Sequence, residues 1–478
     1  MYPKKIVGIL DCKNKTIYGI NKKSNTPLVI FNSYDKSLGK FLVPSKLKYT
    51  NKNYYCVIKF NKNDVKYRFP IANLLYTIGE VGDYNAHCEY LLHCYKLNLK
   101  EPEIPISKNQ KKKLYKTTDI WDLIKKSDLP TYKDHRSIYT FTIDPDTSTD
   151  YDDAISLTNN KLGIHIADVS FWLLKYKWNI NFFSTIYTPI RKINMIPSVF
   201  ADNLASLIEN KDRLSLTLWI DIDTGSYYYE DTIIRVNKNY SYDNFPVSNF
   251  HSIWEISKKF GKQFKMDVNN WDTHKMIESF MVLANFKTAE YLKLHNKKLF
   301  RIHDEKEHNI KIWELENKKF RDFMSIYLSN SAKYTIIEGR HYGLNIPLYT
   351  HFTSPIRRMA DIYVHFLIKE IDLEIEIDLN KCNEDLQLTK QLKRDFEKYD
   401  IIRKLTKTIQ TEGYVCNYKN GFVTMYFPEL DFCDKFHILP STVRDNKEKF
   451  EEQEAKIKLL EKINVIIAKK NDKLIYSF

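Results

Sequence analysis

The chain has 478 residues, 43% of them hydrophobic and 14% aromatic, and a formal net charge of +14. That apolar content excludes a disordered chain, and the length sets a prior of two to four domains. No apolar run reaches membrane-spanning length and the first residues lack the apolar core of a secretory signal, so an intracellular, soluble, cytoplasmic protein is expected.

Residues 1–97 carry the first unit. Residues 1–100 hold 17 Lys/Arg against 6 Asp/Glu. Strand-like runs Ile6–Leu10, Thr16–Ile20, Leu28–Phe31, Phe41–Pro44, Tyr54–Phe60 and Lys66–Phe69 are separated by Asn-, Lys- and Ser-rich turns. A small closed OB-type β-barrel is the economical arrangement. A helix is predicted over 81–97. Cations interleaved with aromatic rings suit single-stranded nucleic acid, by phosphate neutralisation and base stacking; a merely Lys-rich solvated surface gives the same composition. The His87, Cys88, His93 and Cys94 spacing fits no common zinc pattern. The odd, scattered set of seven cysteines points to a reduced compartment.

Residues 98–137 form a Lys- and Pro-punctuated linker with one or two short helices. From 138 to 375 the pattern is mixed α and β. Strands are predicted at Ile138–Ile143, Ala154–Leu157 and Leu162–Val169, and helices at 273–295, about 318–337 and 354–371. The last has Ser354 as N-cap and Pro355 at the first helical position, with Ile356, Ala360, Tyr363, Val364, Leu367 and Ile371 at helical spacing. Residues 376–478 begin with a charged helix over 383–411. Strands then return at Tyr414–Cys416, Phe422–Phe427, Lys435–Ile438 and Ile463–Ala468, with a closing hairpin to Leu474–Tyr476, and a charged helical insert is predicted near 444–462. The fold class is therefore multidomain α+β, with a β-barrel at each end of a mixed α/β domain.

The most informative stretch runs from Asp144 to Asp153, where Asp144, Asp150, Asp152 and Asp153 crowd one loop between two apolar strands. So much like charge is costly unless a cation neutralises it. Hard carboxylate oxygens without neighbouring Cys or His suit Mg²⁺, with Mn²⁺ as a substitute. An EF-hand is excluded, because the sixth and twelfth positions from Asp144 hold Thr149 and Ile155. A solvated acidic turn is the bland alternative.

The segments Thr142–Pro145, Asp150–Ala154, Ile164–Val169, Thr185–Tyr187, Arg191–Pro197, Leu204–Leu207, Asp212–Leu214, Ile277–Asn285, Arg301–His303, His341–Leu344 and Tyr349–Asp361 follow one another in that order. This series resembles the catalytic domain of the ribonuclease II, ribonuclease R and exosome-exonuclease family, over residues 138–372. Phe41–Ser45 and Ile78–Asp83 are similar to its cold-shock domain, and the tail more weakly to its S1-type barrel. The resemblance implies a 3′→5′ exoribonuclease that hydrolyses single-stranded RNA processively to nucleoside 5′-monophosphates with Mg²⁺; a monomer with no membrane partner is expected. It implies that Asp144, Asp150, Asp152 and Asp153 hold metal, that Asp152 is critical for the chemistry, and that Arg357 stabilises charge on the scissile phosphate, with Arg358 sharing that role. Tyr187 matches the aromatic that stacks on the 3′-terminal base, and Phe300 lies near a second such aromatic, an ordinary core position being its alternative. His165, Asp168, His303, His341 and Asp361 are expected to be structural, and Glu278 with Asn285 to share a helix face as a satisfied polar pair or an RNA contact. Met359 stands where the family carries Tyr, the stretch from His303 to Gly343 is shorter than usual, and a single cold-shock-like unit precedes the catalytic domain. Two rival readings remain open: a catalytically silent RNA-binding protein of the same fold, and a DNA-directed nuclease.

Overall fold

The computed structural model describes all residues except 1–2, 15, 17, 23, 61–67, 97–99, 181, 306–309, 373–376, 439–456 and 471–472, and omits the side chains of residues 48 and 49. The strands predicted at Thr16–Ile20 and Lys66–Phe69 fall partly, and the helical insert near 444–462 mostly, outside the described residues.

The first unit is a curled antiparallel half-barrel of β1 (Ile6–Leu10), β2 (Ile20–Asn21), β3 (Thr26–Ser33), β4 (Lys40–Pro44), β5 (Tyr54–Phe60) and β6 (Ala72–Glu80), in the order β2-β3-β1-β5-β6 with β4 on β3. Its two ends are stitched where the Leu42 N–H donates to the Pro70 carbonyl at 2.9 Å. Helix α1 (Tyr84–Cys94) starts at Asp83, whose carboxylate accepts from the Ala86 N–H at 2.7 Å, a side-chain cap for an otherwise orphaned donor. The linker holds α2 (Lys108–Leu114) and short 3₁₀ turns.

The central sheet contains β7 (Lys133–Asp134), β8 (Thr140–Asp144), β9 (Asp153–Thr158), β10 (Lys161–Ala167), β13 (Asp212–Asp221), β14 (Tyr227–Arg235) and β15 (Lys238–Ser241), ordered β15-β8-β9-β10-β13-β14-β7. The small hairpin β11 (Ile186–Tyr187) and β12 (Lys192–Ile193) lies outside it. Strands β8, β10 and β13 are buried along almost their whole length, as their β-branched and aromatic content favours. Helices α3 (Val169–Tyr176), α4 (His251–Gln263) and α5 (Thr273–Leu294) follow. Phe280, Leu283 and Leu292 of α5 pack on Phe141, Ile164, Ile166, Leu216 and Leu218 of the sheet. At the sheet's centre the His165 ring sits between Ser156 Oγ and Thr217 Oγ1, at 2.8 Å from each, so both ring nitrogens are satisfied. Gly163 permits this: a Cβ there would lie 2.5 Å from Ser156 Oγ and 2.7 Å from the Trp219 ring. Asp168 is likewise structural, buried with Lys369 and Tyr132; Lys369 also reaches Asp231 at 2.8 Å.

Beyond α5 come the two-stranded pair β16 (Phe300–Ile302) and β17 (Lys333–Thr335), which flank α6 (Lys318–Tyr327), then α7 (Met359–Ile368) and α8 (Leu379–Lys404). The C-terminal half-barrel of β18 (Ile409–Lys419), β19 (Phe422–Phe427), β20 (Phe432–His437), β21 (Lys462–Lys470) and β22 (Lys473–Ser477) has the order β20-β19-β18-β21-β22. It leans on α6, where Phe320 stacks on Tyr414 and Phe323 on Tyr426, with centroids 4.5 and 4.2 Å apart. Helix α1 leans on α8: the His87 and Tyr399 rings stack 3.4 Å apart, the Tyr95 hydroxyl donates to Asp395 at 2.8 Å, and the Arg403 guanidinium lies 4.5 Å over Tyr84. No disulfide links any of the seven cysteines. No helix among the described residues is long and apolar enough to cross a membrane.

Four sequence expectations are corrected. The helix predicted over 383–411 ends at Lys404, and Ile409–Thr411 opens β18. The helix predicted over 318–337 ends at Tyr327, and Lys333–Thr335 is a strand paired with Phe300–Ile302. Ala72–Glu80, where the sequence offers no strand assignment, is a long strand on β5. The helix expected from Pro355 begins at Met359, because Ser354–Arg358 is a turn whose main chain is captured elsewhere: the Thr185 N–H donates to Arg357 O and the Met359 N–H to Phe183 O, both at 3.0 Å. Arg358 is held extended opposite Ser184, so Arg357 precedes the helix rather than occupying its first turn.

Candidate active site

Strands β8 and β9 pair antiparallel, and residues 145–152 form the loop between them. The loop's main chain is pinned from two sides: the Tyr151 N–H donates to Ser206 Oγ at 2.9 Å and the Leu207 N–H to Tyr151 O at 3.0 Å, while the Ala167 N–H at the end of β10 donates to Asp152 O at 2.9 Å. The segment Leu204–Leu207 therefore serves as a brace. Four aspartates on a braced loop and the two strand ends that frame it cannot spread apart to relieve their repulsion.

The loop opens on a cleft of about 1040 Å³ lined by all four aspartates together with Tyr187, Lys192, residues of α5, and the segment from Tyr349 to Arg358. Asp152 is 4% exposed; its Oδ1 accepts the Ile356 N–H at 2.8 Å and its Oδ2 accepts Arg357 Nε at 3.2 Å. Arg357 also donates to Ser354 Oγ at 2.9 Å and keeps 44% of its side chain exposed, so its guanidinium faces the cleft. Asp150 accepts from the Tyr187 hydroxyl at 2.8 Å and lies 3.3 Å from Lys192 Nζ. Tyr187 is 55% exposed and leaves its ring face open. Asp144 Oδ2 is buried without a hydrogen-bond partner.

Burial raises Asp144 and Asp152 to about 7, and raises Asp153, which also feels Asp144, to about 8. The orphaned Asp144 oxygen and three carboxyls reluctant to ionise alone form a donor set whose chemistry suits a hard divalent cation. As placed, no group of three His, Cys, Asp or Glu side chains among the described residues converges to hold one. Asp150 is turned to Tyr187 and Lys192, and Asp152 to Arg357 and Ile356.

A pH effect follows from these shifts. With a chelator present, thermal stability should fall as pH rises from about 6.5 to 8. In that interval the folded state holds protons on carboxyls raised to about 7 and 8, while the unfolded chain released them near 3.8. The folded state thus binds more protons, and the slope of stability with pH is negative. Burial lowers His165 to about 3 and His341 and His365 to about 4 from 6.5, so below about pH 6.5 these groups contribute a positive slope that offsets the negative one from the acids, and the net fall is expected above about pH 6.5. A melting temperature that climbs between pH 6.5 and 8 under chelation would refute the burial of the three acids.

The other predicted residues fall in different places. Arg358 borders the cleft, yet its guanidinium is committed: Nε donates to Asp361 Oδ2 at 2.9 Å and Nη2 to Oδ1 at 2.8 Å, with Asp361 fully buried. Phe300 is 1% exposed in the core between sheet and helices and does not border the cleft, so its ring is closed to a stacking partner. Asn285 braces the cleft wall, accepting from the Phe352 N–H at 2.8 Å and donating to the Tyr349 hydroxyl at 2.9 Å, while Glu278 is exposed on the cleft side. His303 and His341 bind main-chain N–H groups of Gly343 and Leu344.

Sequence reasoning passed over Lys192, His351 and the stacked pair of Tyr242 and His274, whose centroids are 3.7 Å apart, all bordering the cleft. Lys192 is placed by its pairing with Tyr187 across the hairpin, which puts both side chains toward the acid loop. Nothing in the sequence distinguishes it from Arg191, which instead binds Glu89 of α1 at 2.8 Å. Burial and the guanidiniums of Arg358, Arg301 and Arg357 hold His351 well below the usual imidazole range.

The RNB domain model matches residues 132–248 and 255–373, the span that contains every element of this cleft. The chain belongs to the RNB domain family. A Ribonuclease R from Chlamydia pneumoniae is 28% identical over 429 residues, covering 72% of this chain and 62% of the relative. The chain spans about half the length of other curated relatives it matches. Among solved structures, Mycoplasma genitalium RNase R in complex with ribose methylated single-stranded RNA superposes with a TM-score of 0.75 at 16% identity, covering 99% of this chain and 89% of that one. Yeast Ssd1, a pseudonuclease, superposes with a TM-score of 0.62 at 17% identity, covering 91% and 65%. The RNB fold thus includes a protein named as catalytically inactive.

Proposed function

We propose that this RNB protein is a hydrolytic 3′→5′ exoribonuclease that degrades single-stranded RNA processively to nucleoside 5′-monophosphates and requires Mg²⁺, with Mn²⁺ as a substitute. The observation that carries the reading is the gathering of Asp144, Asp150, Asp152 and Asp153 on one wall of a cleft, with the half-exposed Arg357 guanidinium set against Asp152. Those four carboxylates would hold the cation, which supplies neutralisation of phosphate charge and a more acidic water. Arg357 presents a planar fork that matches phosphate oxygens. Tyr187 offers a ring face that accepts any base, which suits an enzyme indifferent to sequence. The basic first half-barrel would hold the RNA upstream of the cleft. On this reading the enzyme would act as a monomer.

A cation can bind only when the acids are ionised, so its affinity should grow with pH. Mg²⁺ should therefore raise the melting temperature more at pH 8 than at pH 6.5. An equal gain at both values would argue that it binds elsewhere.

A silent RNA-binding protein is the rival supported by the pseudonuclease neighbour. Retention of all four aspartates and Arg357 favours catalysis. The deciding assay uses 5′-labelled RNA and DNA of equal sequence, with and without Mg²⁺. Mg²⁺-dependent shortening of RNA alone is expected. Binding without shortening would establish the silent reading, and shortening of DNA the third one. Tyr187→Ala should change the length of the final product more than the rate of each cleavage. End products identical to those of the wild type would remove Tyr187 from the substrate path.

A further inference from the structure

We propose that His351 is a substrate-contacting residue, whose Nε2–H donates a hydrogen bond to a non-bridging phosphate oxygen of the nucleic acid in the cleft, with Tyr334 as the positioning residue that fixes the proton there. The inference rests on the nucleic-acid reading of the cleft but not on its catalytic part.

Both residues are locked by main-chain bonds. The loop bearing His351 is tied down on either side: the Thr350 hydroxyl donates to Leu299 O at 2.7 Å, the Arg301 N–H to Tyr349 O at 2.8 Å, and the Phe352 N–H to Asn285 at 2.8 Å. Tyr334 is buried on β17, where Asn383 of α8 clasps its main chain, accepting its N–H at 2.9 Å and donating to its carbonyl at 3.0 Å. The Arg301 guanidinium lies 4.6 Å over its ring. These contacts fix the main chain of both residues, and the bond to Tyr334 holds the His351 ring.

The Tyr334 hydroxyl lies 2.6 Å from His351 Nδ1. A buried hydroxyl must place its hydrogen on an acceptor. Arg301 and Arg358 are donors only, the nearby Asp361 carboxylate is taken up by Arg358 and the Ser354 N–H, and among the described residues the hydroxyl's hydrogen-bond partner is Nδ1, which is therefore the acceptor. The ring proton is then on Nε2. That nitrogen has no protein partner among the described residues, and the half-buried ring borders the cleft beside Arg357 and Arg358. A neutral donor on this wall binds a phosphate oxygen without adding charge next to the arginines. With three guanidiniums nearby, the imidazole stays uncharged at neutral pH.

The test is equilibrium binding of a 5′-fluorescent oligoribonucleotide to the full chain without divalent cation, read by anisotropy. This readout does not depend on turnover, so a failed catalytic reading and a failed role for His351 are distinguishable. His351→Ala and His351→Asn should weaken binding roughly tenfold or more, the usual consequence of losing a hydrogen bond to a charged group. His351→Gln, whose amide nitrogen lies near the Nε2 position, should recover most of the loss. Tyr334→Phe should weaken binding in the wild-type background and add nothing in the His351→Gln background, where no tautomer needs fixing. A purely structural role would make Asn and Gln equally poor or equally good, and would carry the Tyr334→Phe effect into both backgrounds; either result overturns the proposal. So does wild-type affinity in His351→Ala.

Discussion

Asp152→Asn should abolish hydrolysis while leaving RNA bound. The carboxylate is nearly sealed from solvent and makes two contacts, one with the Ile356 N–H and one with Arg357 Nε. Asparagine has the same shape and its oxygen can still accept from Ile356, so the loop should keep its course. Its amide nitrogen would face the Arg357 Nε, donor against donor, and the negative charge would be gone. The guanidinium would lose one of its two anchors, keeping Ser354 Oγ, and on the proposed reading the cation would lose a ligand. Groups that stabilise transition-state charge in a closed site cost roughly two to three orders of magnitude in rate when removed. The loss here should be at least that large, because one substitution disturbs both groups. Release of mononucleotides at a rate near that of the wild type would show that Asp152 is not part of the machinery. A parallel gel-shift would confirm that the substrate is still held.

Arg358→Ala should destabilise the fold severely. It would strand the carboxylate of Asp361, which has no exposed surface and would keep only the Ser354 N–H at 2.7 Å. Breaking one side of a buried ion pair costs about 3–5 kcal/mol, since the remaining charge is left uncompensated. Urea unfolding followed by tryptophan fluorescence measures this directly. Removing both charges together, with Arg358→Met and Asp361→Leu, should cost less than the single change. The comparison separates two roles for Arg358. A stable Arg358→Ala protein with weakened RNA binding would make it a phosphate ligand; an unstable one makes it the anchor of the turn that presents Arg357.

The acid loop was legible because its signal is local: four aspartates within ten residues, bounded by apolar strands that bury on both faces. The half-barrel at each end was visible in composition and turn spacing for the same reason. The start of α7 was misread because Ser354-Pro355 is a good local helix opening, but the main chain at Arg357–Met359 bonds to Phe183 and Thr185, far away in sequence. Tertiary pairing overrode local propensity there. Phe300 has the composition of a stacking residue, and only the fold shows that its ring is spent in the core. His351 carried no signal of its own because its significance depends on Tyr334, which reaches it from β17 and is itself held by Asn383 of α8.

The lean of α1 on α8 changes what a truncation can mean. Excising residues 1–97 looks like a clean amputation, since a linker follows. It would also strip the His87 ring from Tyr399 and uncover the aromatic flank of the 26-residue strut at the stretch where Lys398 binds Asp434 of the C-terminal half-barrel at 2.7 Å. Whatever such a shortened protein lost in grip would be confounded with a loosened strut. Point changes on the half-barrel's outer face, which leave this seam intact, are the sounder way to weigh its contribution.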